Sequence, residues 1–373
     1  MSPPNAVGPR AFVGHWELLE RLGAGGMGEV FLARKQGSAE TVVIKRILPR
    51  LAAQKEFLDR FLHEARVVAR LNDPTIVRIV ELGDVDGQWF LAMEHVDGVD
   101  VQTLLSKGAI PVGAACRIGL EAATALIVAH GARDAAGRLT PVIHRDVSPH
   151  NLLVSSSGGV KLIDFGVASL TGQGETGGKL AYSAPEQLLE DVTDAKSDQY
   201  SLGVVLWECL AGRQAFDADE DVEVIRLVTE VGVPALPEAV PAPLREVVAR
   251  MTALEPASRF PDVAAARAAL LAEVRASKLD VTPAALGALV PRRSQREAPV
   301  AVTSAPAAAP QLDEVERLAL AVLRDGMSVD AAEAAIDAAA LPGAPFALDV
   351  LQSLVEKRAL RFEDQGGDRV IRL

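Results

Sequence analysis

The segment that most constrains the fold lies near the middle of the chain, where two short apolar runs flank a Ser/Gly turn. The runs at 152–154 and 160–163 enclose SSSGG, a pattern that predicts a β-hairpin. Asn151 precedes the first run and Asp164 follows the second, so a closed hairpin would bring both side chains to the same open end. An amide oxygen beside a carboxylate suits a partly hydrated Mg²⁺ that bridges phosphates.

Asp146 stands five residues before Asn151, in the stretch VIHRDVSPHN that spans 142–151. This spacing places a carboxylate where it could accept a proton from a hydroxyl substrate. The alternative is three polar loop residues with no common task, and the other motifs of the chain argue against it.

A glycine-rich segment near the N-terminus points to the phosphates of a nucleotide. The residues LGAGGMGEV run from Leu22 to Val30 and place glycines at Gly23, Gly25 and Gly28, where backbone amides can approach phosphate oxygens because no Cβ intervenes. A dinucleotide-binding fold uses the same spacing but requires a helix next. Here the runs EVFLARK and TVVIKRI follow, joined by QGSAE, which predicts strand, turn and strand as a flap over a nucleotide. A plain glycine-rich hairpin is the alternative for the motif by itself.

Lys45 follows Ile44 at the end of an apolar run, where it could snorkel from an edge strand or meet a buried acid. In the helix predicted from KEFLDRFLHEARVVARL, Glu64 shares a face with Phe61 and Val68. A carboxylate on a buried stripe needs a partner, and Lys45 is the natural one. We expect this pair to aim the Lys45 ammonium at the nucleotide phosphates.

Taken in order, these segments resemble a Hanks-type serine/threonine protein kinase of the bacterial, eukaryote-like kind over residues 13–275. The form HRDVSP is similar to that of myxobacterial kinases. The resemblance implies an α+β, two-lobed kinase fold with ATP in the cleft, the β-rich N-lobe at about 13–95 and the helical C-lobe at about 96–275. Further motifs that carry it are FLAMEHVDG from Phe90, DFG at 164–166, APE at 184–186, DQYSLG at 198–203 and ASRF at 257–260.

The resemblance also implies a role for each matching residue. It implies Asp146 as the base and Lys45 as a contact for the α and β phosphates of ATP. It implies Asn151 and Asp164 as ligands of Mg²⁺, with Mn²⁺ as an alternative. The residues implied in nucleotide binding are Leu22, Gly23, Gly25, Gly28, Val30, Ile44, Lys45, Glu64, the gatekeeper Met93, Glu94 and Val96. The residues implied in structure are the pair Glu186 and Arg259, and Asp198, which would prop the catalytic loop.

The chain departs from the family's pattern at Ser148, where the usual residue is a lysine that neutralises charge near the γ-phosphate. The family also usually places a threonine five residues before the alanine of APE, and here that position holds Lys179. We hypothesise an exchange in which Lys179 returns an ammonium to the space left by Ser148, while the serine hydroxyl takes the hydrogen-bonding role. The alternative is that Lys179 is a solvated loop residue.

Regulation is expected to involve Arg145 and the loop between DFG and APE. In the family, this arginine helps to hold a phosphate added to the loop. We expect Thr176, and after it Thr171, as autophosphorylation sites. Unmodified loop hydroxyls are the alternative.

Composition and charge exclude some classes of function. The net charge of −12 argues against general nucleic-acid or anionic-membrane binding. Cys116 and Cys209, each alone in an apolar stretch, are expected to be reduced core thiols of a cytoplasmic protein. We expect no segment to span a membrane, and the N-terminus carries no apolar signal core.

Composition also divides the chain. Residues 1–12 are expected to be a flexible leader and residues 276–311 a Pro/Ala-rich linker. Residues 312–373 regain helical periodicity and end on a predicted hairpin, which suggests a small winged-helix-like module. This segment has 12 acidic residues against 7 basic ones, so a protein-interaction or dimerising role is favoured over DNA contact.

Two functions of different classes fit this sequence. The first is a Mg-ATP-dependent kinase that acts on protein Ser/Thr hydroxyls in cytosolic signalling. The second is a nucleotide-binding pseudokinase scaffold whose tail recruits partners. The metal and base residues favour the first, whereas Ser148 and Lys179 keep the second open. A small-molecule phosphotransferase is a weaker third reading, because the APE motif, Arg259 and the hinge pattern disfavour it.

Overall fold

The structure is a computed structural model that describes residues 12–25, 28–85, 87–133, 136–165, 177–189, 193–218 and 220–291, and the segments 361–365 and 368–372. The chain divides into two compact units, Met1–Gln295 and Arg296–Leu373.

An antiparallel sheet of six strands, with two helices inserted between its fourth and fifth strands, forms the first part of the first unit. The strand order is β1-β2-β3-β4-β6-β5. The strands are β1 (Phe12–Val13), β2 (Trp16–Gly25), β3 (Gly28–Lys35), β4 (Thr41–Ile47), β5 (Ile79–Val85) and β6 (Gln88–Glu94), and the helices are α1 (Pro49–Ala52) and α2 (Lys55–Val68).

Strand β4 shows how this sheet positions the site. Side chains alternate between the two faces of a strand. Val42 and Ile44 therefore share one face and belong to one buried cluster, whereas Ile47 lies in a second cluster with Phe57 of α2. Lys45 is two residues from Ile47, so it lies on the face that packs against α2.

The glycine-rich segment forms the flap that its sequence predicts. Strands β2 and β3 pair antiparallel up to Gly25 and Gly28, and β3 then pairs with β4. The reason for a glycine at 28 is steric, since a Cβ built there would lie 2.2 Å from the carbonyl oxygen of Arg46.

The second part of the first unit is mostly helical. Its helices are α3 (Val101–Leu105), α4 (Val112–His130), α5 (Gly177–Leu180), α6 (Pro185–Leu189), α7 (Ala195–Ala211), α8 (Asp221–Arg226), α9 (Ala242–Met251), α10 (Val263–Ala276) and α11 (Pro283–Gly287), with a π-helical turn at Leu227–Val231 and 3₁₀ turns at Pro149–Asn151 and Pro256–Ser258. A small sheet accompanies them, formed by β7 (Gly98–Asp100), β8 (Leu152–Ser155) and β9 (Val160–Leu162) in the order β7-β8-β9. The antiparallel pair β8 and β9 is the hairpin predicted from the sequence.

Helix α4 is long and apolar enough to qualify as a membrane span, which differs from our expectation for the sequence. The mean hydropathy of its most apolar 18-residue stretch is 1.6, but 61% of that stretch is buried inside the fold. Cys116 of this helix and Cys209 of α7 are both buried and free. The burial of α4 in the C-lobe core accounts for its composition.

The chain stays in the C-lobe beyond the expected boundary at 275. Helix α11 buries Leu286 completely, and Val290 lies in the same core cluster. Arg117 of α4 also donates to the carbonyl of Val281 at 2.9 Å. Residues 277–291, which we assigned to the linker, therefore pack against the C-lobe. Their large apolar side chains lie in or against its core, and they are Leu279, Val281, Leu286, Leu289 and Val290.

In the second unit, the described residues form one antiparallel hairpin. Strand β10 (Arg361–Gln365) pairs with β11 (Asp368–Arg372), and Gln365 lies opposite Asp368. This is the predicted C-terminal hairpin. The helical part predicted for residues 312–359 lies outside the described residues.

Candidate active site

The β8–β9 hairpin brings the two expected metal ligands to one end, as predicted. Leu152 lies opposite Leu162 in the register, and the Ile163 N–H donates to the carbonyl of Asn151 at 3.0 Å. Asn151 closes the 3₁₀ turn before β8. Asp164 follows Ile163 in a left-handed conformation with φ of 56°, a backbone region that aspartate tolerates better than most residues.

Lys45 forms an ion pair with Asp164. Its Nζ lies 3.0 Å from Oδ2 of Asp164, and only 10% of the lysine side chain is exposed. Burial by itself would raise the pKa of Asp164, but the charge and hydrogen bond of Lys45 outweigh it and hold that pKa below its usual range. Asp164 is therefore a carboxylate at neutral pH, which is the form that binds metal. Glu64, the expected partner of Lys45, falls within α2, and its side chain lies outside what the structure describes.

The expected base, Asp146, is held through its backbone by neighbouring polar groups. Asn151 donates from Nδ2 to the carbonyl of Asp146 at 2.7 Å, and the Asp146 N–H donates to Nδ1 of His144 at 3.2 Å. Because His144 accepts at Nδ1, its Nε2 carries the proton and donates to the carbonyl of Ile163 at 2.9 Å. His144 also packs on Phe165 with ring centroids 4.8 Å apart. The loop that carries the base is thus tied directly to the end of the β8–β9 hairpin.

Asp198 ties the same loop to the core helix α7. Its Oδ2 accepts from the His144 N–H and lies near Nε2 of His130, and its Oδ1 accepts from the Arg145 N–H, each at 2.8 Å. Only 1% of Asp198 is exposed. Arg145 has a φ of 67°, a strained conformation that tertiary contacts must maintain. The structure therefore places Asp198 where the resemblance expected it, against the backbone just before Asp146.

Lys179, expected near the catalytic loop, reaches Asp146. Its Nζ lies 2.6 Å from Oδ2 of Asp146, with 44% of the lysine side chain and 12% of the aspartate side chain exposed. Ser148 is buried, with 5% of its surface exposed. The cation beside Asp146 therefore comes from the segment before APE, as one half of the hypothesised exchange requires. The hydrogen-bonding role expected of the Ser148 hydroxyl stays a prediction.

The segment after Lys179 is anchored by the pair expected from the resemblance. Arg259, fully buried, donates from both terminal nitrogens to the two carboxylate oxygens of Glu186 at 2.7 and 2.8 Å. It also donates to the carbonyls of Ala253, Lys196 and Leu254. Burial would raise the pKa of Glu186, but its hydrogen bonds, mainly from Arg259, hold that pKa below the usual range.

Two of the expected nucleotide-binding residues, Lys45 and Met93, lie beside a cavity that is lined by residues of β4, β6, β9 and α2. Asp164 is also among the residues around this cavity, which has an empty volume of about 460 Å³, part of it open to solvent. Glu94, at the start of the expected hinge, accepts from Nζ of Lys161 at 2.7 Å. Other members of the set lie on β2 (Leu22, Gly23, Gly25), on β3 (Gly28, Val30) and just after β6 (Val96). The expected nucleotide contact of Ile44 is wrong, because Ile44 is fully buried in the cluster on the sheet face opposite to Lys45.

Some expected residues lie outside the described part of the chain, and some structural contacts had no sequence signal. Thr171 and Thr176 fall between the described segments 136–165 and 177–189. His130 beside Asp198 and Lys161 beside Glu94 were not expected. His130 ends an apolar helix and Lys161 alternates within a short strand, so neither pattern distinguishes these residues from ordinary solvent-facing ones.

The comparison with known families agrees with this geometry. The profile described as the protein kinase domain matches residues 16–269. The chain belongs to the protein kinase family. The range of the match starts at β2 and ends within α10, so it includes both lobes and every motif described above.

Relatives in bacteria place the chain among Hanks-type kinases. It is 35% identical over 287 residues to the tyrosine-protein kinase MasK of Myxococcus xanthus, covering 70% of this chain and 44% of that protein. It is 36% identical over 258 residues to the serine/threonine-protein kinase PknD of Mycobacterium tuberculosis, covering 66% of this chain and 38% of that protein. The chain thus spans less than half the length of these curated relatives.

Among solved structures, the chain resembles the kinase domain of PknI from Mycobacterium tuberculosis. The TM-score is 0.55 with 30% sequence identity, and the match covers 72% of this chain and 100% of that one. The two-lobed kinase fold expected from the sequence is therefore confirmed.

Proposed function

We propose that this chain is a Mg-ATP-dependent protein kinase that transfers the γ-phosphate of ATP to serine and threonine hydroxyls of proteins. The observation that carries the proposal is the convergence of Lys45, Asp146, Asn151 and Asp164 at the end of the β8–β9 hairpin. A kinase fold without activity would be expected to lack at least one of these groups.

In the proposed reaction, the side chains of this chain position the reactants and move one proton. Asp146 accepts the hydroxyl proton as the substrate oxygen attacks, and its loop is fixed for this task by His144 and Asp198. Lys45, held by Asp164 on the α2 side of the sheet, contacts the α and β phosphates. The β2–β3 flap covers the phosphates with backbone amides.

The donor set at the hairpin end fits a hard divalent cation. Asp164 supplies a carboxylate. Since the amide nitrogen of Asn151 is engaged with Asp146, its amide oxygen is the atom that would hold a metal. Two oxygen donors suit Mg²⁺, which keeps several waters and uses substrate phosphates as further ligands. When bound, the metal would neutralise charge on the phosphate oxygens. The family implies ATP and a divalent cation, and magnesium over manganese is part of our proposal.

The test is phosphotransfer by the purified full chain. The protein is incubated with γ-labelled ATP and Mg²⁺, alone and with a generic protein acceptor, beside the variant Asp146→Asn. We expect label in the unmodified chain and none in the variant, with both proteins binding ATP equally. Replacing Mg²⁺ by Mn²⁺ or by a chelator separates the metal requirement from nucleotide binding.

Two results would redirect the proposal. Absence of phosphoryl transfer with nucleotide still bound would favour the pseudokinase scaffold, in which the ion pair between Lys179 and Asp146 stays formed and Asp146 does not act as a base. Label on tyrosine rather than serine or threonine would correct the substrate class, which matters because the relative MasK is named a tyrosine kinase.

We also propose that the chain acts in cytosolic signalling and that its loop hydroxyls are autophosphorylated, first Thr176 and then Thr171. The buried free thiols support a reducing compartment. The net charge of −12 supports the absence of nucleic-acid and membrane partners. The acidic tail at 312–373 is proposed as a protein-interaction or dimerising module. Phosphosite mapping of the full chain tests the proposed autophosphorylation. Sedimentation of the full chain and of the chain truncated after residue 291 tests whether the tail dimerises.

A further inference from the structure

The base of the proposed reaction is neutralised by a side chain from a distant part of the chain. Asp146 and Lys179 are 33 residues apart, and their charged atoms lie 2.6 Å apart. Within the catalytic loop itself, the buried residue Ser148 carries no charge. The cation that meets Asp146 therefore comes from outside the catalytic loop.

The backbone of Lys179 is fixed by the C-lobe core. Helix α5 ends at Leu180, which is 7% exposed. The N–H of Tyr182 donates to the carbonyl of Lys179 at 3.0 Å. The Tyr182 hydroxyl in turn donates to the buried carboxylate of Glu208 on α7 at 2.8 Å. The ammonium is therefore delivered from an anchored turn.

The contact between Lys179 and Asp146 contributes little to the free energy of folding, but it places an ammonium beside the proposed base. With 44% of the lysine side chain exposed, the pair is partly solvated, and such pairs add little to folding free energy. An ammonium has three donor hydrogens, so contact with Asp146 leaves two for other acceptors.

We propose that Lys179 is a catalytic residue, and that its ammonium contacts the phosphoryl group in transfer and replaces the charge that Ser148 does not supply. This inference rests on the proposed kinase function. It also means that the catalytic cation belongs to the segment that carries APE rather than to the loop that carries Asp146. Correct placement of that segment then becomes a condition for charge compensation at the reacting phosphate.

The step that Lys179 assists balances without any further reagent. The substrate oxygen forms a bond to the γ-phosphorus, and the bond from that phosphorus to the oxygen bridging the β and γ phosphates breaks. ADP leaves with the electron pair of that bond, and the hydroxyl proton passes to Asp146. Lys179 stays protonated and stabilises the charge on the oxygens of the transferring group.

The first experiment compares Lys179→Thr, the double variant Ser148→Lys/Lys179→Thr and the control Lys107→Ala, which removes an exposed lysine that has no part in the contacts described for the site. We expect Lys179→Thr to lower kcat about 10²–10³-fold, the range for loss of one preorganised donor, with ATP affinity and Tm unchanged. The double variant should recover at least about tenfold, because it returns a cation at the position where the family's pattern usually has a lysine.

Three outcomes of this experiment would overturn the inference. They are an unchanged kcat in Lys179→Thr, a loss of kcat matched by equal losses of ATP affinity or Tm, and no recovery in the double variant. If the unmodified chain transfers phosphate and Lys179→Thr matches it, only this inference fails. If the unmodified chain transfers nothing, the proposed function fails.

The second experiment needs no turnover. The full chain is labelled with an amine-reactive reagent in the presence of Mg²⁺ with ADP, or Mg²⁺ with a non-hydrolysable ATP analogue, and labelling of each lysine is followed by mass spectrometry. We expect the γ-phosphate to slow labelling of Lys179 severalfold and leave Lys107 unchanged. Equal labelling of Lys179 in the two complexes would overturn the inference whether or not the chain is active.

Discussion

Replacement of Asp198 by asparagine tests how the C-lobe core positions the catalytic loop. The two side chains have nearly the same shape, so the substitution removes a charge and one acceptor without creating a cavity. In the structure, Oδ2 of Asp198 faces the His144 N–H and Nε2 of His130, while Oδ1 faces the Arg145 N–H. An asparagine can present its oxygen to only one of these sides, and its amide nitrogen would then face another donor.

The expected cost follows from these three contacts. A hydrogen bond to a charged group contributes about 1.5–3 kcal/mol, and a neutral one about 0.5–1.5 kcal/mol. Asp198→Asn loses at least one bond and weakens the others, so the free energy of unfolding should fall by about 3–6 kcal/mol. For a domain of this size, the fall in Tm is on the order of 5–10 °C. Release of the backbone before Asp146 should also lower kcat by about 10²-fold, the effect of a misplacement near 1 Å.

The assay is thermal and urea unfolding, followed by kcat at a temperature where both proteins are folded. The matched control is Asp194→Asn, on the same helix, where the side chain caps the N-terminus of α7 and accepts from the N–H groups of Lys196 and Ser197. Asparagine caps a helix about as well as aspartate, so this control should be almost unchanged. A loss below about 1 kcal/mol for Asp198→Asn, or equal losses in the two variants, would refute the reasoning.

Three further changes can be tested by unfolding measurements. Arg259→Met should cost roughly 3–5 kcal/mol because it leaves the carboxylate of Glu186 buried and unpaired; a loss under about 1 kcal/mol, the value of a surface pair, would contradict this. The pKa of Glu186 is lowered on folding from an ordinary value of 4.5, so its contribution to stability is present above that value and lost as the pH falls through the folded-state pKa. Urea unfolding at pH 7 and in acid should therefore show a smaller pH dependence for Glu186→Gln than for the unmodified chain, and an equal dependence would argue against the ion pair. Gly28→Ala should cost about 1–3 kcal/mol, since its Cβ would meet the carbonyl of Arg46, whereas Gly23→Ala, with open space around its Cβ, should leave Tm unchanged; similar Tm values for both would contradict the steric argument.

The local elements around the site could be predicted because short-range patterns specify them. The Ser/Gly turn between two apolar runs predicts the β8–β9 hairpin. Once the hairpin forms, Asn151 and Asp164 lie at the same end because they flank its two strands. The β2–β3–β4 flap likewise follows from runs of strand-forming residues interrupted by turn residues. In each case the partners are close in sequence, so pairing them needs only a short loop.

Composition was a poorer guide to the end of the C-lobe. The Pro/Ala-rich composition that indicates a linker belongs to residues 291–311, and we extended the linker back to 276, but Leu286 and Val290 are buried against the helical core. Whether such a segment packs against the C-lobe depends on its large apolar side chains, and other helices form the apolar surface that these side chains contact. The sequence pattern near 286 contains no information about that surface.

The sequence by itself determined which chemical groups this protein has for phosphoryl transfer and which of them lie at the same hairpin end. Only the tertiary structure decided which cations meet which carboxylates: Lys45 on Asp164, and Lys179 on Asp146 from 33 residues away. These pairings join strands, loops and helices whose relative positions depend on the packing of the whole core. A local pattern of residues can specify a turn or a strand, but the distance between two such elements is set by everything that lies between them.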